Sequence, residues 1–334
     1  MLILDSPSYD PRFNIAAEEY LLKETDREYA FFYINDPSII IGKHQNAWAE
    51  INIPWTRKNK IPVIRRISGG GTVWHDKGNL NFSFILNGEE GKLVNFREYA
   101  SPVLEYLKQL EIPAEFGERN EILAGGLKIS GNAEHVHRKR VLHHGTLLYS
   151  SDLSMLEESL DTIPGFYKDK AVQSVRSKTG NIREFLEKPM DVSGFRHQLI
   201  HYISEYFNDS ESCSFSETEK NRISELVSEK YSQWIWNIGY SPRYSFNREW
   251  NVAGAQIHSE IAVEKGRIVK CYLSASDSDR SAIDDFLTEE VKSLDDLTAH
   301  ITGENHDPES LYKMISDKNI VEPKWIDIFV EGLF

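Results

Sequence analysis

The chain has 334 residues, of which 40% are apolar and 27% charged. That exceeds the single core of about 100–200 residues a typical domain builds, so two domains are expected. A net charge of −14 offers a phosphate polymer no counterion-release gain, which excludes nucleic acid as a general partner; an anionic ligand must be met by a local cluster of cations.

The 20 glycines and 12 prolines exclude a collagen-like or low-complexity chain. The longest apolar runs, such as Ile39–Ile41, fall far below the roughly 18 residues of a membrane span. The opening Met1-Leu2-Ile3-Leu4-Asp5 lacks the layout of a secretion signal. Cys213 and Cys271 stand far apart in no metal or redox spacing, as thiols do in a reducing cytosol. A cytoplasmic protein without a membrane segment is expected.

In chain order, residues 2–5 predict a short strand and 14–23 a helix. The runs 29–34 and 38–42, divided by Asn35-Asp36-Pro37, predict a hairpin. A strand over 63–67 ends in three glycines. From Leu80 the alternation of Leu80, Phe82, Phe84 and Leu86 with smaller or polar residues predicts a half-buried strand. Phe96 to Leu107 repeats at helical intervals. Residues 122–124 and 127–133 flank Gly125-Gly126, a two-residue hairpin turn requiring positive φ. The turn 137–140 leads to a strand over 141–149. Asp152 is placed to cap a helix reaching Leu160, and a longer helix covers 194–207. The Ser/Glu-rich stretch 208–218 is expected to be a connecting loop. Gly239 to Arg243 carries the clearest break signals, and beyond it come strands near 251–257, 261–265 and 268–273 and helices near 280–290, 293–301 and 308–317. The expectation is an α+β chain with a large mixed-sheet domain, 1–240, and a small α+β accessory domain, 248–334.

Three features carry chemistry. The run Arg65-Arg66-Ile67-Ser68-Gly69-Gly70-Gly71-Thr72-Val73-Trp74 sets a glycine triplet between two strands, where successive amides can converge on an anion beside planar, permanently charged donors. The same residues also suit a plain tight turn with surface arginines, and on an alternating strand only one of the two arginines faces the site. Lys128 follows the glycine turn, and alternation puts it on one face with Ser130; an ammonium there suits negative charge developing on a carboxylate or phosphate, though a solvated strand lysine has the same sequence. His135, His137, His143 and His144 cluster without the carboxylate or cysteine that completes a zinc spacing, so packing or contact with a ligand near Lys128 is expected rather than a metal. No Walker-type phosphate loop, dinucleotide fingerprint or nucleophile elbow is present. The residues by themselves describe an anion-binding α/β protein with a basic, non-nucleophilic site.

The segments RRISGGGTVWHDKGNLNFSF (65–84) and GERNEILAGGLKISGNA (117–133) resemble signatures of the lipoate–protein ligase A family. So do SYDPRFNIAAEEYLL (8–22), GKHQNAWAEIN (42–52), HHGTLLYSSDL (143–153) and SVRSKTGNIREFL (174–186), six ordered blocks over about residues 5–207. The resemblance implies a biotin/lipoate-ligase-like catalytic domain and a two-step reaction. Lipoate and ATP give lipoyl-AMP and pyrophosphate; a lysine of an apo lipoyl domain then takes the lipoyl group and AMP leaves. It implies ATP binding by Arg66, Gly71, Thr72, Val73, Trp74 and Lys128, lipoate binding and catalysis by Lys128, and Mg²⁺ whose ligands are left open. It implies acceptors among 2-oxoacid dehydrogenase E2 subunits and the glycine-cleavage H protein. Glu121 stands where the family usually has aspartate, and Lys43 where arginine is frequent. The basic turn His137-Arg138-Lys139-Arg140 either receives an acidic acceptor surface or is simply solvated. Competing readings are an octanoyl or lipoyl transferase of the same fold without ATP activation, and a non-catalytic lipoate or nucleotide binder.

Overall fold

The computed structural model describes residues 1–88 and 93–334. Its strands are β1 (Leu2–Asp5), β2 (Tyr29–Ile34), β3 (Ser38–Ile41), β4 (Val63–Arg65), β5 (Val73–His75), β6 (Asn79–Asn87), β7 (Ala114–Phe116), β8 (Ile122–Ala124), β9 (Leu127–Ser130), β10 (Asn132–His137) and β11 (Arg140–Leu148). They continue with β12 (Tyr167–Asp169), β13 (Glu211–Cys213), β14 (Tyr244–Val252), β15 (Ala255–Glu264) and β16 (Arg267–Ala275). The chain separates into two compact units. One holds residues 1–43, 60–159 and 174–233; the other holds 44–59, 160–173 and 234–334. The units are thus not the consecutive stretches 1–240 and 248–334. Two earlier segments leave the first unit because their side chains are used elsewhere: the Trp48 indole donates to the His306 carbonyl at 2.7 Å, and the Asn46 amide to Asp169 at 3.0 Å.

In the first unit six strands form a mixed sheet in the order β10-β11-β6-β2-β1-β13. β1 and β2 are parallel, which requires a crossover, and the helix Pro11–Lys23 (α1) supplies it. Asp10 caps α1 by accepting from the Arg12 amide at 2.9 Å, and Pro11 occupies its first turn, where a missing N–H costs nothing. Phe32, Phe82 and Phe84 pack with Val103 and Leu107 of helix Phe96–Gln109 and with Phe195, Leu199 and Ile203 of helix Val192–Tyr206. Two further three-stranded sheets, β4-β3-β5 and β7-β8-β9, carry the loops of the candidate site.

Four sequence expectations change here. β2 and β3 do not form a hairpin, because both edges of β2 are taken by β1 and β6. The turn between them is held instead by its own side chains, Asn35 reaching Asn14 at 2.8 Å and His75 at 2.9 Å. β6 is buried on both faces, with Asn81 and Ser83 as enclosed as its phenylalanines, so its alternation marks chemistry rather than exposure. The stretch expected to be a loop contains β13, which pairs in parallel with β1 through main-chain groups that composition does not report. The strand expected over 251–257 is in fact the end of β14, a turn at Ala253-Gly254 with positive φ at both residues, and the start of β15.

The second unit is an antiparallel sheet, β12-β14-β15-β16, with a core that includes Trp250, Phe286 and Phe329. Its buried His306 joins the Tyr244 hydroxyl at 2.6 Å and the Leu333 carbonyl at 2.8 Å. Among the described residues no helix is long and apolar enough to cross a membrane.

Two stability outcomes follow from this packing. A Cβ at Gly78 would overlap the Ser150 carbonyl, which is backbone and has no rotamer to escape into. Gly78→Ala is therefore expected to destabilise the chain by about 1–3 kcal/mol, measured by denaturant unfolding. Glu19 is held at about 2, below its ordinary 4.5. Burial opposes this, but the Lys230 charge and hydrogen bonds from Lys23, Lys230 and Tyr231 outweigh it. A depressed carboxyl stabilises the fold above its unfolded value, and that contribution is lost as pH falls from about 4.5 towards 2. Glu19→Gln should flatten this acid limb and cost on the order of 2–3 kcal/mol at neutral pH, read from unfolding curves at several pH values.

Candidate active site

The glycine loop lies between the end of β4 and the start of β5. Arg65 and Arg66 diverge, as alternation requires, and both are buried. Arg65 donates to the carbonyls of Gly42 at 2.9 Å and Lys43 at 3.1 Å. Arg66 turns into the loop. Its Nε donates to the Ser68 hydroxyl at 3.0 Å, Nη2 to the carbonyls of Gly69 at 2.6 Å and Gly71 at 2.7 Å, and Nη1 to Ile40 at 3.1 Å. Burial lowers its pKa to about 10, with the Glu18 charge acting the other way. Four of its five donor hydrogens are accounted for by these carbonyls and the serine. The guanidinium is therefore first a brace for the loop, and one Nη1 hydrogen is not used by these acceptors. Gly70 has φ +85°, a conformation that a side chain would strain.

A buried relay supports this brace. The Ser68 hydroxyl lies 2.6 Å from His144 Nε2, and His144 Nδ1 lies 2.9 Å from the Glu18 carboxylate. Glu18 also accepts from Tyr33 and Ser83. A consistent assignment has Nδ1–H donating to Glu18, Nε2 accepting from the Ser68 hydroxyl, and the Ser68 oxygen accepting from Arg66. The Glu18 carboxylate thus faces the Arg66 guanidinium across His144 and Ser68.

The expected backbone donors differ in their situations. The Thr72 amide donates to the Ser174 hydroxyl at 2.8 Å. Ser174 also lies where a Gly71 side chain would project, its Oγ 3.0 Å from that position. Ile39 and Ile41 use their main-chain groups on the β4 side, so Ile40 faces β5, opposite Val73. This register turns the Val73 amide into the ladder and the Trp74 amide to the outer side of β5. The Trp74 side chain is buried and its indole donates to Asp76 at 3.1 Å.

Lys128 lies on the hairpin of β8 and β9, whose turn glycines have φ +55° and +78°. The pairing shifts register between Ile122 and Leu123, so that Leu123 opposes Lys128 and Ile122 opposes Ser130. Strict alternation is broken, and Ile129 and Ser130 are both fully buried. Such a bulge re-aims the neighbouring side chain. On its other side β9 is held by main-chain bonds of Lys128 to Lys178 and Gly180. The ammonium folds back over Gly131, where a Cβ would lie 3.2 Å from Nζ. Among the described residues it makes no hydrogen bond or ion pair. Burial lowers its pKa, Glu121 opposes that, and the Arg66 and Arg119 charges add to it. Loop and hairpin are neighbours, since a Cβ on Gly70 would lie 3.8 Å from that of Ala133, at the start of β10.

The histidines divide between two environments. His143 is buried against Glu134 at 2.9 Å and packs with Phe82, Phe96 and Tyr99, whereas His144 belongs to the relay. Burial and the Lys43 and Lys23 charges bring His135 down to about 4. Among the described residues no group of three or more His, Cys, Asp or Glu is placed to hold a metal, and both cysteines are free thiols. Ser68 and His144 stood in the glycine run and the histidine cluster, whereas Glu18 and Ser174 were not singled out from sequence; a glutamate on an otherwise buried helix stretch was the one signal that pointed to Glu18.

The model of the lipoyl protein ligase A/B catalytic domain matches residues 10–204, a span that includes α1, the glycine loop, Lys128 and Ser174. The lipoate–protein ligase LplJ of Bacillus subtilis is 40% identical over 279 residues, 81% of this chain and 83% of that protein. The chain belongs to the lipoyl protein ligase A/B family. Two solved structures agree with the assignment. A lipoate–protein ligase A bound with ATP is 30% identical with TM-score 0.62, covering 72% of this chain and 98% of that one. A bi-partite lipoate protein ligase of Thermoplasma acidophilum, described with its E2 lipoyl domain, is 29% identical with TM-score 0.62 and covers 72% and 96%.

Within this member of the family His75 offers a readout of the site. Burial first, then the Arg66 charge, lowers it from 6.5 to about 3, and Asn35 engages its Nδ1 at 2.9 Å. Below pH 6.5 the unfolded chain binds a proton that the folded chain refuses, so this residue costs stability as pH falls towards 3. In an NMR titration the His75 ring should keep its neutral chemical shift down to about pH 4; a midpoint near 6.5 would contradict the enclosed ring.

Proposed function

We infer that this chain is a lipoate–protein ligase that activates lipoate with ATP and transfers it to a protein lysine. The observation that carries the reading is the unpaired Lys128 ammonium, folded over Gly131 beside an arginine-braced glycine loop. Family membership, the ligase names of its relatives and the ATP-bound structure of one of them support it.

In the first step a carboxylate oxygen of lipoate bonds to the α-phosphorus of ATP as the bond to the β-phosphate breaks, and pyrophosphate leaves with that electron pair. Negative charge grows on the phosphoryl oxygens. Lys128 meets both the acyl carboxylate and the α-phosphate. Arriving anions raise the pKa of its buried ammonium and so strengthen the contact. Gly71, Thr72 and Trp74 present main-chain donors to the phosphates, Val73 fixes their register within the sheet, and Arg66 adds its remaining N–H. A phosphate oxygen that takes the Thr72 amide replaces the Ser174 hydroxyl now seated there. In the second step the acceptor amine bonds to the acyl carbon, loses a proton, and AMP departs.

Mg²⁺ would accompany the nucleotide and would supply a charge that neutralises the departing pyrophosphate. The acceptors are apo lipoyl domains of 2-oxoacid dehydrogenase E2 subunits and the glycine-cleavage H protein. The T. acidophilum relative, described with its E2 lipoyl domain, supports the first of these. The reaction is placed in the cytoplasm, a compartment suited to two free thiols.

Incubating the chain with lipoate and Mg·ATP, without acceptor, should release pyrophosphate and leave a bound adenylate. Lys128→Ala should slow that release about 10²–10³-fold with an unchanged thermal midpoint, because the ammonium makes no contact that holds the fold. Pyrophosphate release at the wild-type rate would remove Lys128 from the chemistry.

A further inference from the structure

We propose that the outer edge of β10 is the docking site for the acceptor protein, which adds an acid-bearing strand to the six-stranded sheet. The proposal rests on the ligase reading and identifies where the second substrate binds.

Among the described residues β10 is a terminal strand whose one sheet partner is β11. Thr146 N–H donates to the Gly131 carbonyl at 3.0 Å, and the register continues as Ala133 with His144, His135 with Leu142, and His137 with Arg140. This alternation turns the main-chain groups of the odd-numbered residues to β11 and those of Asn132, Glu134 and Val136 outward. Natural edges are blunted by charge, proline or a covering element, yet here the edge carries an apolar β-branched Val136, 38% exposed.

The charge around the edge is positive although the whole chain is at −14. Arg138 and Lys139 at the hairpin tip are exposed. Besides burial, the charges of Lys43 and Lys23 depress His135, and those of Lys23, Arg138 and Arg140 depress His137. Arg140 is not part of the docking surface. Its guanidinium donates to the carbonyls of Leu21 at 2.7 Å and Leu22 at 2.8 Å at the end of α1, and to Asn87 at 2.9 Å. That tie holds the hairpin rigid, as a pre-formed docking edge requires. A second copy of β10 supplies no acid to match these cations, because Glu134 is already engaged by His143. Asn132 follows Lys128 by four residues, at most about 13 Å of extended main chain, so the edge begins close to the site in sequence.

Two variants separate the edge from the chemistry. Val136→Pro removes an outward amide and leaves the ladder to β11 intact, the placement in which an edge strand tolerates proline. Lys139→Glu reverses an exposed charge. Each should weaken binding of an apo lipoyl domain, measured by calorimetry, and raise its KM at least tenfold, with lipoate-dependent pyrophosphate release within twofold of wild type. Added salt should narrow the defect of Lys139→Glu but not that of Val136→Pro. Unchanged acceptor affinity in Lys139→Glu and in a folded Val136 variant, with Val136→Lys replacing the proline variant if that does not fold, would overturn the proposal. So would a wild-type dimer that Val136→Pro turns into monomers with acceptor affinity retained, since the edge would then be a self-interface. If the wild-type chain releases no pyrophosphate the ligase reading fails separately, and the calorimetry still reports on the edge.

Discussion

A buried guanidinium gives the glycine loop its shape. Three glycines in succession have little conformational preference of their own, and a loop between two short strands has few neighbours to restrain it. Arg66 supplies the restraint by gathering the carbonyls of Gly69, Gly71 and Ile40 around one planar group. With the Gly69 and Gly71 carbonyls drawn to the guanidinium, the next amide along, that of Thr72, is turned to the Ser174 hydroxyl. A cation so enclosed is costly unless compensated, and Glu18 provides compensation across Ser68 and His144. Replacing any member of the relay leaves a buried polar group without its partner, so the loop and the sheet beneath it are energetically one structure.

Lys128 represents the opposite arrangement. Among the described residues its ammonium makes no hydrogen bond or ion pair, and its position comes from main chain: a glycine turn, a bulge, and bonds to 178 and 180. On the proposed reading, a braced cation that shapes the loop and an unbraced one left for the substrate suit a reaction in which anionic charge develops and then departs. An ammonium already committed to a carboxylate would have to exchange that partner at each turnover, whereas in the proposed reaction this one has no such partner to give up.

Much of this was legible in the residues. The turn at Gly125-Gly126, the Asp152 cap and the helix from Phe96 follow from local chemistry, and the structure contains each of them. The glycine triplet between strands was evident too, and so was the divergence of the two arginines. What escaped was non-local. β13 is a strand because β1 has an open edge, and β2 and β3 separate because β2 has none. The bulge at Ile129 defeats the alternation that assigns Lys128 its face. Ser174, about a hundred residues from the glycine loop, carries no local mark of its contact with Thr72. Arg140 looked like part of a basic surface, yet it caps α1. A charge run alone does not say which of its members are already satisfied.

The helix α1 connects these parts. Glu18 reaches the loop through the relay, whereas its neighbour Glu19, on an adjacent face, joins Lys23, Lys230 and Tyr231. The helix's last carbonyls hold Arg140 and through it the tip of the β10–β11 hairpin. The buried carboxylates of α1 are thus not tolerated defects in an apolar helix. Each neutralises cations of a different segment, which keeps positive charge fixed near the site without leaving it exposed to the acidic remainder of the surface. A rigid-body shift of α1 would disturb the glycine loop and the edge of β10 together, so the proposed sites of the two steps share one mechanical support although they use different residues.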